Sequence, residues 1–194
     1  MALLNARVSP FFNEIFTITS EFWEEPRNHR GLDITTGTNS QLHAIANGIV
    51  LFSGAQRDGQ GNLTGYGYYI IYKDTTSQMG FLYAHMKEQS SKNVGDSVTF
   101  GEIIGIEGTT GDSTGIHLHF EMQDLTNHDW VYGAPKSYYT NPADFMGIPN
   151  VEGTQAIYEY HPIPPIRNKF KRNPFPWVIY TRKLRKELGQ LDAR

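Results

Sequence analysis

The stretch IHLHFEM, residues 116–122, alternates apolar and polar side chains, and a period of two is the signature of a strand whose two faces differ. Read as a strand, it sets His117, His119 and Glu121 on one face and Ile116, Leu118, Phe120 and Met122 on the other. Four more runs are short, rich in β-branched and aromatic residues, and punctuated by Gly, Asp, Asn and Ser: residues 41–54, 67–73, 79–86 and 96–108. No segment before residue 145 carries a sustained helical period with caps. The fold class predicted is mainly β, an antiparallel sheet with tight connections. Gly59, Gly61 and Gly65 in RDGQGNLTGYG could suggest a phosphate cradle, but a strand follows where a nucleotide fold needs a helix, so the segment reads as a hairpin loop.

A length of 194 residues fits one domain with an appendage, and 39% hydrophobic and 13% aromatic content argue for an ordered core. The net charge of -3 is too small to suggest nucleic acid as a partner. Without cysteine there are neither disulfides nor thiolate metal sites, so any metal must use His, carboxylate or water. The start, MALLNARVSPFFNEIF, has no basic n-region and no uninterrupted apolar run, so it does not read as a secretory signal. No later stretch approaches membrane-spanning length.

Composition shifts near Pro149. The boundaries expected are an N-terminal segment at 1–18, a domain at 19–146, a proline-rich linker at 147–176 and a basic helical arm at 177–194. In the arm, Tyr180, Leu184, Leu188 and Leu191 fall at helical spacing among Arg182, Lys183, Arg185 and Lys186. Two roles fit it: a terminal helix packed on its own domain, or a docking arm for a partner or an anionic surface.

HRGLDI places His29 four residues before Asp33, in a loop entering a strand. In GFLYAHM, Phe81, Tyr83 and His85 should alternate onto one face, with the imidazole at the strand's end. Either histidine alone would be an ordinary structural residue. The set has a common chemistry. Zinc held by two neutral imidazoles and a carboxylate keeps a position open where water has its pKa lowered to about 7, and attack on a peptide carbonyl also needs oxyanion donors and a proton carrier. His29, Asp33, His85, His117 and His119 are the candidates.

HRGLD, LYAHM and STGIHLHFE, with VGDSVTFGEIIGIEGTTG before the last, resemble the lysostaphin-like, LytM-type zinc endopeptidases that cut peptide bonds in bacterial peptidoglycan. The resemblance runs from about residue 19 to 146. It implies a β-rich peptidase domain whose loops form a groove for the wall peptide. It also implies one zinc ion per chain held by His29, Asp33 and His119, with His85 and His117 as catalytic imidazoles. His43, His128 and His161 match no motif position. A family member that has lost its ligands would serve as a regulator or structural tail protein, but all five positions are filled. A biotinyl or lipoyl carrier would need a lysine at the turn EGTTGDSTG, which has none. The partner expected is the peptide of peptidoglycan, with stem-peptide links favoured over glycine bridges. A wall-cutting chain with no signal resembles phage lysins and tail-tip enzymes, for which the arm would supply virion or wall docking.

Overall fold

The computed structural model describes residues 3–161. In chain order the elements are β1 (Leu4–Asn5), β2 (Ile15–Ser20), β3 (Leu32–Thr35), β4 (Gln41–His43), β5 (Gly48–Arg57), β6 (Leu63–Asp74), β7 (Met79–Met86), β8 (Ser97–Val98), β9 (Ile103–Ile106), β10 (Leu118–Asp124), the short helix α1 (Pro142–Met146) and β11 (Gln155–Ile157). Nine strands form one sheet in the order β1-β11-β2-β3-β10-β7-β6-β5-β8, and β4 and β9 pair separately. Every pair is antiparallel except β1 with β11. The antiparallel β expectation therefore holds, and within RDGQGNLTGYG residues 58–62 form the hairpin loop between β5 and β6, closed by the Asp58 N–H to Asn62 carbonyl bond, while residues 63–67 already belong to β6.

One face of the sheet carries the main core. Phe16, Ile18, Leu32, Ile34, Tyr72, Phe81, Tyr83, Leu118, Phe120 and Met122 are buried there together. Opposed residues across a ladder share a face, so Phe120 meets Leu32 on β3 and Tyr83 on β7. The Phe120 ring lies 5.1 Å from Tyr83 edge-on and 6.3 Å from Phe81 in a parallel stack. β10 departs from the half-solvated strand that alternation suggests, because its polar face is covered too: His119 is 7% exposed, Glu121 1% and Gln123 0%. A polar group buried that fully requires partners: His119 and Gln123 have them, and Glu121 has them at Oε1, while its Oε2 is buried without one.

Two expected boundaries move. Of the segment expected at 1–18, the described residues 3–18 are part of the domain, since Phe11 and Phe16 are fully buried and β2 lies between β3 and β11. Residues 147–160, expected as linker, also belong to the compact unit Met1–Tyr160. Gly147 ends α1 in the left-handed conformation, Ile148 is buried, and β11 fills the place between β1 and β2 with Ala156 fully covered. Short strands at the ends of a chain carry too few residues for periodicity to register; long-range pairing is what makes them strands. The arm expected at 177–194 lies outside the described residues. Among the described residues no helix is long and apolar enough to cross a membrane.

Ala156→Asp would place an unpaired carboxylate in the core between β1 and β2, at a cost of about 3 kcal/mol. Thermal melts of the full-length chain are expected to fall by roughly 6–12 °C for this variant. Gln155→Asp, on the exposed side of the same strand, is expected to melt like the parent.

Candidate active site

The site begins as a row across four adjacent strands. Ser20 on β2 is opposite Asp33 on β3, Asp33 is opposite His119 on β10, and His119 is opposite Ala84 on β7. These positions share the face that does not carry the main core. Gly31 lets the row close: a Cβ there would lie 2.6 Å from His119 Cε1 and 2.8 Å from the Phe120 carbonyl oxygen. The glycine of HRGLD is thus a requirement of close approach to the imidazole.

His29 reaches the row from the loop between β2 and β3, which closes through a Trp23 N–H to His29 carbonyl bond of 2.6 Å. Its Nδ1 is 2.8 Å from the Glu21 carbonyl oxygen, which can only accept, so Nδ1 carries the proton. The lone pair on Nε2 then points at Asp33 Oδ1, 3.1 Å away, and at His119 Nδ1, 3.0 Å away. His119 is oriented in the same manner from behind, with Nε2 2.9 Å from Glu121 Oε1 and Nδ1 2.8 Å from Asp33 Oδ1. Two imidazole nitrogens and a carboxylate oxygen converge on one point, a donor set that suits a divalent cation. Such a cluster of acceptors demands positive charge. Burial opposes charging of His119 most strongly, yet its bonds to Asp33 and Glu121 outweigh this and raise its pKa to about 10. Burial likewise opposes ionisation of Asp33, and its bond with His119, with the His29 ring beside it, still holds its carboxyl far below the usual carboxylate range.

His85 arrives by an irregularity. Phe81 and Tyr83 join the core as alternation requires, but His85 does not follow them onto that face. Between the pairs Tyr68↔Met86 and Ile70↔Tyr83 the register shifts by an extra residue on β7, and His85 has a positive φ of 59°. This bulge turns the imidazole into the cleft and returns Met86 to the core. Thr110 clamps it, accepting from His85 Nδ1 at 2.8 Å through its carbonyl and donating its hydroxyl to the Met86 carbonyl at 2.7 Å. Burial, followed by the charge on His119, pushes the His85 pKa down to about 4. His117 lies just before β10, its backbone bridged to Gly108 and its Nδ1 2.8 Å from the Gly115 carbonyl oxygen. Both rings are therefore anchored through Nδ1 and turn Nε2 toward the cleft, with centroids 4.7 Å apart. His117 Nε2 is 3.8 Å from Asp33 Oδ1.

All five residues singled out in the sequence line one cavity of about 340 Å³, with Arg27, Gln56, Tyr66, Asp112, Ser113 and Thr114 among the other walls. His43 and His128 do not line it; each rests on an aromatic ring, Phe12 and Tyr138 respectively. The turn EGTTGDSTG is no exposed carrier tip: it folds onto β6, with Thr110 Oγ1 accepting from the Tyr68 N–H and Asp112 N–H bonding the Gly65 carbonyl.

The sequence profile of Peptidase family M23 matches residues 27–131, more than half of the chain. The chain belongs to peptidase family M23. It is 33% identical over 130 residues to the DD-carboxypeptidase/endopeptidase Mpg of Neisseria meningitidis, covering 67% of this chain and 25% of that protein. The glycyl-glycine endopeptidase ALE-1 of Staphylococcus capitis is 36% identical over 100 residues, which are 52% of this chain and 25% of the relative. The chain thus spans about a quarter of the length of these curated relatives. Among solved structures, the lysostaphin catalytic domain of Staphylococcus simulans aligns at 25% identity and TM-score 0.51, over 70% of this chain and 92% of that one. The catalytic domain of a prophage-encoded M23 protein of Enterococcus faecalis gives 26% identity and TM-score 0.50 over 73% and 96%. This M23 chain has the mainly β fold that its motifs implied.

Sequence reasoning gave no role to Glu121 or Tyr66. Alternation did place Glu121 on the imidazole face, but nothing local shows that Tyr66, 55 residues away, donates to it at 2.7 Å. Burial, then the Glu121 carboxylate, drives the Tyr66 pKa well above its ordinary value, so the phenol stays a donor. Glu121→Ala leaves His119 Nε2 and the Tyr66 hydroxyl without their acceptor. Chelator competition is expected to show divalent-metal affinity weakened by about 10- to 100-fold.

Proposed function

We propose that this chain is a zinc endopeptidase that hydrolyses peptide bonds in bacterial peptidoglycan. The observation that carries the reading is the convergence of His29 Nε2, His119 Nδ1 and Asp33 Oδ1 on one point, with two further imidazoles turning Nε2 toward the cleft beside it. Names of relatives support the substrate class, since Mpg and ALE-1 are both named as endopeptidases.

In this reading His29, Asp33 and His119 hold the ion, and Glu21, Glu121 and Ser20 fix the rings that face it. When bound, zinc supplies a Lewis acid that polarises the scissile carbonyl and lowers the pKa of water to about 7. His85 is neutral at pH 7, so its Nε2 accepts a proton as readily there as at any higher pH. His117 sits on the Asp33 side of the cleft, where an imidazole that has taken up a proton can donate to the carbonyl oxygen as charge develops on it. Anchoring both rings through Nδ1 keeps them in one tautomer and removes a rotation that would otherwise have to be frozen during reaction.

Delivery to the wall belongs to the same proposal, with the basic arm as docking element on a virion or an anionic wall polymer. Its support is sequence: eight of the seventeen Lys and Arg residues lie between Arg167 and Lys186.

Asp33→Ala is expected to lose most bound zinc, measured by elemental analysis, together with all lysis of purified walls. Full occupancy in that variant would remove the ligand assignment. His85→Ala and His117→Ala should each retain zinc and lose activity by about 10² or more. Near-normal turnover in either would end its catalytic role.

A further inference from the structure

We infer that Arg27 is a specificity residue that pairs with a free carboxylate beside the scissile bond, so that the cleft favours a charged peptide link over an uncharged glycine bridge. The inference rests on the peptidase reading and deepens it. Among the described residues lining the cavity, Arg27 is the only Lys or Arg. Its position is tied to the site by a short path: Arg27 Nη2 donates to Ser20 Oγ, and Ser20 Oγ is 3.2 Å from His29 Nδ1. One hydroxyl therefore separates the guanidinium from a ring whose other nitrogen faces the converging donors. A group held by Arg27 belongs to a residue next to the bond being cut.

The guanidinium is held in place and only partly used. Glu24 Oε2 accepts from Nη2 at 2.7 Å, and both recorded contacts run through that one nitrogen. Among the described residues no hydrogen bond reaches Nη1 or Nε, so each keeps an N–H donor for a charge-assisted bond to a carboxylate of the bound peptide. The Glu24 pair is exposed, so it positions the fork without greatly stabilising it. A polyglycine chain offers this cation only backbone carbonyls, whereas a stem-peptide link with a free carboxylate on the adjoining residue offers the matching anion. The two named relatives stand on either side of this choice, a DD-carboxypeptidase/endopeptidase and a glycyl-glycine endopeptidase.

The test uses the zinc-loaded full chain and three synthetic substrates: a cross-linked stem-peptide dimer with that carboxylate free, the same dimer as its carboxamide, and pentaglycine. The parent is expected to favour the acid over the amide by about tenfold or more in kcat/KM, mostly through KM, and to favour it over pentaglycine. Arg27→Gln should bring the acid-to-amide ratio close to one while zinc content is kept, and Arg27→Lys should restore part of it. Calorimetric binding of acid and amide to the slow His117→Ala protein, with and without Arg27→Gln, should give the same ratios. The inference is overturned if the parent shows no preference for the acid, or if Arg27→Gln lowers acid and amide equally, which is the mark of a residue that merely holds its loop. A zinc-loaded parent that cleaves none of the three substrates and no wall overturns the peptidase reading, and this inference with it.

Discussion

The register that sets His119 opposite Asp33 is the constraint on which the rest of the molecule depends. Side chains alternate along a strand, so a slip of one residue between β3 and β10 would turn Asp33 toward the core and bring Ile34 to the imidazole. That slip is opposed from the other face, where Leu118 lies opposite Ile34 and Phe120 opposite Leu32, all fully buried. Burying an apolar side chain of this size is worth about 1.5–3 kcal/mol. Four such residues therefore hold the register far more firmly than the polar contacts could. Core and site are two faces of the same strands, and the packing of one positions the other.

Against this regular row, the two remaining imidazoles come from irregular backbone. His85 depends on a bulge and a left-handed φ, a conformation that a non-glycine residue adopts at a cost of about 1–3 kcal/mol. Thr110 offsets that cost by bonding the ring, the Met86 carbonyl and the Tyr68 N–H at once. The same threonine sits where Gly67 and Gly111 leave no room for a side chain, since a Cβ on Gly67 would lie 2.3 Å from Thr110 Oγ1. A loop that looks merely Gly- and Thr-rich in sequence is thus the support of one cleft wall.

This division explains what the sequence could disclose. Groups placed by regular alternation were legible: His119 and Glu121 on one face of IHLHFEM, Asp33 at the start of a strand, the five β-rich runs. His85 was legible as a candidate imidazole at a strand's end, and motif resemblance supplied its role, but its direction was not legible, because the period of two points it into the core and a bulge leaves no periodic trace. β2 and β11 were misplaced into flanking segments, since a three-residue strand such as β11 is specified by the partners it finds and not by its own pattern. Tyr66 was invisible for a similar reason. Its role exists only because β6 folds back beside β10 through β7, which brings its hydroxyl to Glu121.

Glu121 shows how charge and fold are balanced. A carboxylate only 1% exposed, bonded by one phenol and one imidazole, is costly to bury unless positive charge lies near. Asp33 presents the same need from the opposite side of the same imidazole. His119 thus stands between two carboxylates, touching one with each ring nitrogen, and a single proton on it offsets only one of them. A divalent ion at the point where His29, Asp33 and His119 converge would offset both, directly for Asp33 and through the polarised ring for Glu121. The buried carboxylate behind the site is therefore best understood as part of a neutral assembly whose positive member is the ion proposed for the cleft.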